Sequence, residues 1–220
     1  MTSDASGRLL SLLSHELRSP LGVIRGYLRL LEDRAAALSD QQRTAISAAL
    51  RAADHAAHLL DQASHLAQLR HGNTRFDLIR IDLMKVLSAA IQSVAAAPDL
   101  TITCDARNLT GTEVNADRNQ LREALTSVIA VVVRAQVAPR TIKVSVQRET
   151  FDQTAGLWLR IEAEGVAGHA LEEALNTARG GVGLDLPIAE AVITSHGGRV
   201  SELTAAGRCV GMLVWLPVAP

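Results

Sequence analysis

Hydrophobic residues recur every three or four positions through the first third of the chain, and every second position in several short runs beyond it. From about Ser3 to about Ala36, Leu10, Leu13, Leu17, Leu21, Ile24, Leu28 and Leu31 fall on one narrow stripe when each residue turns about 100°. The alternation of threes and fours predicts a helix with a coiled-coil-like seam. Ser39 followed by Gln42 is a capping-box pattern, and it opens a second helix with Ile46, Leu50, Ala53, Ala57, Leu60 and Ala67 at similar spacing. His71-Gly72-Asn73 closes that helix, glycine being the usual residue just past a helix C-terminus. Two antiparallel helices cannot enclose both stripes. The pattern therefore predicts that two hairpins pair into a four-helix bundle, a homodimer; a monomeric hairpin packed on the rest of the chain is the alternative.

Beyond residue 72 the period changes. Met84 to Ala96 reads as a helix, Leu100 to Cys104 as a strand, and Asp117 to Ala135 as a helix. In Thr141–Gln147, Ile142, Val144 and Val146 alternate with Lys143, Ser145 and Gln147, the signature of a half-buried strand. Leu157, Leu159, Ile161 and Ala163 alternate likewise after a turn within 150–156, which makes the two runs antiparallel neighbours. A helix follows Gly183 and closes at Ser195-His196-Gly197-Gly198, and Cys209 to Leu216 is a last strand ended by Pro217. The expected fold class is α+β: a helical hairpin over residues 1–73, then an α/β sandwich over 74–220 with one mixed sheet and helices on one face.

Composition narrows the function classes. With 220 residues the chain is one large domain or two small ones, and 48% hydrophobic with 20% charged residues is enough for a core. A net charge of −1 excludes a broadly basic nucleic-acid binder and gives no electrostatic attraction to a membrane. No apolar run approaches the ~20 residues that span a bilayer, and the N-terminus lacks the order of a signal peptide; a soluble cytoplasmic protein is expected. Cys104 and Cys209 lie too far apart for a disulfide framework or a metal motif. His55, His58 and His65 share one side of the second helix but spread over nearly three turns, so they do not converge on one ion. Arg18, Arg25 and Arg29 suit either an acidic partner or plain solvation. Gly165 and Gly168 mark a turn, and Tyr27, Trp158 and Trp215 read as core or interface anchors.

The candidate chemistry sits at His15. It lies about 160° from the Leu17 stripe and so points to solvent, with Ser19 one turn on. Glu16 adjoins it, and Pro20 withdraws a backbone donor from the Glu16 carbonyl, loosening or kinking the helix. An exposed imidazole beside a carboxylate can be held in one tautomer and made a better nucleophile. Ser14-His15-Glu16-Leu17-Arg18-Ser19-Pro20-Leu21 resembles the phosphoacceptor box of two-component sensor histidine kinases. Gly181-Val182-Gly183-Leu184-Asp185-Leu186, Ile188 and His196-Gly197-Gly198 resemble that family's second glycine box and the helix after it. The resemblance implies that His15 accepts a phosphoryl group on a dimeric hairpin, with Glu16 orienting or deprotonating it and Ser19 placing a water or the phosphoryl group.

The family's ATP site implies asparagines that hold magnesium, an aspartate that reads adenine, and glycine loops around the phosphates. Aligned through Leu121, Arg122, Glu123 and Leu125, the asparagine positions hold Ser127 and Val131, and valine cannot ligate a hard cation. The aspartate position holds Ala163 in Ala163-Glu164-Gly165-Val166-Ala167, unless Glu164 is one step out of register. Asp185 stands where the family has glycine, near a helix N-terminus that attracts anions; there it either caps the helix or repels a phosphate by about 4 kcal/mol at ~4 Å and an effective dielectric of 20. Gly168 to Gly180 leaves little room for a nucleotide lid. These departures make the nucleotide site around Ser127, Val131, Ala163, Gly165, Gly181, Gly183 and Asp185 vestigial by expectation. A start directly at the acceptor helix leads one to expect no sensor domain. The expected function is then a histidine phosphotransfer protein that passes phosphoryl groups between His15 and the aspartates of receiver domains, without ATP, bound cofactor or metal of its own, the receiver bringing its own magnesium. An ATP-dependent sensor kinase core and a non-catalytic dimeric scaffold are the alternatives.

Overall fold

A computed structural model describes residues 2–33, 38–72, 74–95, 99–106, 109–136, 139–165, 171–172, 175 and 183–220, with backbone only at 2–15. The chain divides into two compact units, Met1–Thr74 and Arg75–Pro220.

The first unit is a hairpin of α1 (Thr2–Asp33) and α2 (Asp40–Arg70). Helix α1 runs unbroken through Pro20. Ser39 caps α2 in a full capping box: its hydroxyl accepts from the Gln42 amide at 3.3 Å, and its own amide donates to Gln42 Oε1 at 2.9 Å. At the far end Gly72 takes φ +67°, the left-handed conformation that ends a helix at little cost only with glycine. Polar pairs set the register of the two helices. Arg18 meets Asp61 at 2.6 Å, Arg25 meets Asp54 at 2.7 Å, and Ser47 donates to Glu32 at 3.3 Å, each step moving seven residues along both helices. Such exposed pairs stabilise by only about 0.2–1 kcal/mol each, but a slipped register would break all of them together.

The stripe on α1 is shared between two sides. Leu21 and Leu28 are half-buried, whereas Leu17, Val23, Ile24, Tyr27, Leu30 and Leu31 are each 45–66% exposed. A contiguous apolar surface of this kind is characteristic of an interface.

The second unit contains β1 (Ile79–Asp82), α3 (Leu83–Val94), β2 (Leu100–Asp105), β3 (Glu113–Ala116), α4 (Arg118–Arg134), β4 (Arg140–Phe151), β5 (Thr154–Ala163), α5 (Asp185–Ser195), β6 (Arg199–Ala205) and β7 (Arg208–Pro217). Five strands form a mixed sheet in the order β2-β4-β5-β7-β6, parallel only between β2 and β4. The alternation read from sequence carries through: Ile142, Val144, Leu157, Leu159, Ile161 and Val214 are fully buried, as are Leu121, Leu125, Val128 and Ile129 of α4, which packs on β4, β5 and β7. The expectation of one sheet needs correction, because β1 and β3 pair antiparallel in a separate two-stranded ladder. Four residues of alternation in each are too few to stand out from chance, and only the pairing of Ile81 with Val114 reveals them.

Both hairpins of the large sheet turn on two residues with positive φ, as a type I′ turn requires: Asp152 (49°) and Gln153 (61°), and Ala206 (50°) and Gly207 (74°). Alanine in the left-handed region costs roughly 1–2 kcal/mol. After the larger backbone entropy lost by glycine, Ala206→Gly is expected to stabilise the unit by about 0.5–1 kcal/mol, read as a higher denaturant midpoint at unchanged slope.

Candidate phosphoacceptor and nucleotide sites

His15 lies within α1, and its side chain is outside the described residues. Its neighbours Glu16 and Ser19 are exposed. Between them Arg18 gives both Nε (3.2 Å) and Nη2 (2.6 Å) to Asp61 of α2, so this arginine, like Arg25, ties the hairpin together. His55 and His58 are exposed and His65 half-buried, and no group of metal-ligating side chains gathers among the described residues.

Helix α4 forms because Asp117 caps it, Oδ1 accepting from the amides of Asn119 and Gln120 at 3.1 Å each, ahead of an apolar face that buries on the sheet. One turn apart on that helix, Ser127 is half-buried and Val131 wholly buried. Ala163, half-buried, is the last residue of β5 and sits opposite Ile142; Gly165 follows in a turn at φ +77°. Gly168, Gly180 and Gly181, and with them the stretch expected to replace the lid, lie mostly outside the described residues. Gly183, at φ +62°, leads into α5.

Asp185 does not cap α5. The N-cap of α5 is Leu184, which makes no side-chain hydrogen bond, and Asp185 is the first helical residue. Its carboxylate lies 3.6 Å from Arg134 Nη2 at the end of α4.

At the opposite end of these two helices the structure joins residues that the sequence did not. The buried His196 accepts from the Asp117 amide at Nε2 (3.0 Å), while its Nδ1 lies 2.7 Å from the Val192 carbonyl and so must donate. One ring nitrogen accepting and the other donating fixes a neutral tautomer. Burial alone would raise the Asp117 carboxyl, but the amides of Gln120, Asp77 and Asn119 outweigh it and hold the pKa below the ordinary 3.8. Its contribution to stability is therefore complete above that value and lost as the pH falls below it. A lone histidine before two glycines carries no periodic signal, and its partner Asp117 is 79 residues away.

Both cysteines are free, Cys104 exposed and Cys209 buried. Desolvation raises both thiol pKa values, with Asp105 adding at Cys104, so neither is an activated nucleophile.

Residues 5–72 match the His Kinase A (phospho-acceptor) domain. Along its length the chain is similar to two-component sensor histidine kinases. It is 24% identical to the circadian input-output histidine kinase CikA of Synechococcus elongatus, covering 97% of this chain and 30% of that protein. It is 27% identical to the sensor histidine kinase YkoH of Bacillus subtilis, covering 89% of this chain and 44% of that protein. The chain thus spans less than half the length of these relatives. Among solved structures, full-length ShkA in complex with AMPPNP aligns over 96% of this chain and 46% of its own, with a TM-score of 0.71 at 24% identity. The histidine kinase AdeS of Acinetobacter baumannii aligns over 94% of this chain and 98% of its own, with a TM-score of 0.58 at 20% identity. Both show the shared fold: a helical hairpin followed by an α/β unit with a mixed sheet.

These likenesses overturn the expected ATP-independent histidine phosphotransfer protein. The matches to sensor kinases run through the hairpin and the α/β unit together. No helix among the described residues is long and apolar enough to cross a membrane.

Proposed function

We propose that this chain is the kinase core of a two-component sensor histidine kinase. An ATP molecule held by residues 75–220 donates its γ-phosphoryl group to His15: the imidazole nitrogen bonds to phosphorus, the bond to the β-phosphate oxygen breaks, and ADP leaves. Glu16 orients the ring or takes its proton, and Ser19 is close enough along α1 to position the phosphoryl group. The phosphoryl group then passes to an aspartate of a receiver domain. The observation that carries this reading is the continuous likeness to sensor histidine kinases across 89–97% of the chain, acceptor box included. ShkA, which shares this fold, is solved in complex with AMPPNP, and this supports a nucleotide as the donor here.

The residues at the family's magnesium positions do not fit the ion. Val131 is apolar and wholly buried, and Ser127 offers a single half-buried hydroxyl where a hard cation demands several oxygens. Nucleotide affinity is accordingly expected to be weak, and Ala163 gives a way to raise it. Ala163→Asp restores the carboxylate that pairs with the adenine amino group in the family; a hydrogen bond to a charged group stabilises by about 1.5–3 kcal/mol, so calorimetric titration should show ATP binding at least about tenfold tighter.

Homodimerisation completes the reading. The exposed face of Leu17, Ile24, Tyr27 and Leu31 matches what a second hairpin would cover. Incubation with γ-labelled ATP tests the function: label on the protein is expected, and its absence at millimolar ATP rejects the kinase reading.

A further inference from the structure

The chain enters the second unit through a fastening built from residues far apart in sequence. Just ahead of β1, the Phe76 ring packs edge-on against His196, centroids 4.7 Å apart and planes at 62°. The next amide, that of Asp77, donates to Asp117 Oδ2 at 3.3 Å. The carboxylate thus divides its work: Oδ1 caps α4 through Asn119 and Gln120, and Oδ2 takes the incoming backbone. The Asp117 amide in turn donates to His196 Nε2, and the far ring nitrogen is anchored on the Val192 carbonyl at the end of α5. The cap of α4, the end of α5 and the incoming chain therefore meet at one imidazole.

We propose that Asp117 and His196 are positioning residues that latch the incoming segment and so set the length of the tether between the acceptor hairpin and the nucleotide-binding unit. The tether is short because of where the latch sits. Helix α2 is closed by the Gly72 amide on the Leu69 carbonyl, and the first latched side chain is Phe76, which leaves residues 73–75 between them. Without the latch the next fixed element is β1, beginning at Ile79, and the tether becomes 73–78. Effective concentration of a tethered partner falls roughly as the −3/2 power of tether length, so doubling the tether dilutes the nucleotide-binding unit around His15 about threefold. The geometry of the latch stands by itself; its effect on phosphorylation rests on the kinase reading.

Asp117→Asn separates the two duties of the carboxylate. The amide oxygen keeps the helix cap, while its NH2 faces the Asp77 amide, donor against donor. Phe76→Ala removes the other fastening, the ring against His196, and leaves the hydrogen bonds of Asp117 and His196 in place. In the full chain, amide hydrogen exchange should show Asp77 protected in the wild type and exchanging at least about tenfold faster in Asp117→Asn, with Asn119 and Gln120 unchanged. With γ-labelled ATP, the double variant Phe76→Ala/Asp117→Asn, which releases both fastenings, should lower the maximal rate of His15 labelling about threefold without changing the ATP concentration at half-maximal rate, and each single variant by less. Equal exchange of Asp77 in wild type and variant would overturn the latch, and an unchanged maximal rate would overturn its role as a tether. A wild type that takes no label rejects the kinase reading instead, and the exchange result still decides the latch.

Discussion

His15→Ala is expected to abolish labelling from γ-labelled ATP, while Glu16→Ala slows it by about 10²–10⁴-fold. The difference in size follows from the difference in role. Removing the nucleophile removes the reaction, whereas losing a general base or orienting partner forfeits only its share of the barrier. Phosphoryl transfer depends mainly on positioning and electrostatics, and Glu16 is exposed beside His15 on the same helix. Phosphate on the wild type should be acid-labile and base-stable, as a phosphohistidine is. Label that persists in His15→Ala would place the acceptor elsewhere, and a Glu16→Ala protein as fast as wild type would remove the carboxylate from the chemistry. Followed into a receiver domain, the same label should leave the wild type as the receiver gains it.

A comparable loss is expected for assembly when charge is placed on the open face of α1. The wild type should scatter light as twice its chain mass of 23.4 kDa at micromolar concentration. Ile24 and Leu31 are 50% and 45% exposed in the single chain, and both lie on the seam that a second hairpin would bury. In Ile24→Asp/Leu31→Asp the two-fold symmetry of a dimer brings each carboxylate into the interface twice. An unpaired carboxylate taken out of water costs several kcal/mol, so the dissociation constant should rise by more than a thousandfold and the variant should run as a monomer. Both residues lie about 100–140° around α1 from Arg18 and Arg25, so the ion pairs to Asp61 and Asp54 are left in place. A monomeric wild type, or a variant that still dimerises, refutes this face as the interface.

Local rules explain what could be read from the sequence without coordinates. The capping box at Ser39, the stop at His71-Gly72, the extent of α4 from near Asp117 and the pairing of β4 with β5 each depend on residues close along the chain, or on a period of side chains repeated long enough to register. The acceptor box is likewise contiguous, and this is why His15, Glu16 and Ser19 could be named at once. Tertiary structure decided the rest. The α1 stripe reads as one seam, but its division between α2 and an open face depends on where α2 lies. Only folding brings Arg134, 51 positions earlier in the numbering, to within 3.6 Å of Asp185. Strands β1 and β3 exist because they pair with each other, and His196 is a hub because α4 begins where α5 ends. Hydrogen bonds and ion pairs between distant residues leave no period in a sequence, for their partners are set by the packing of whole elements and not by spacing along the chain.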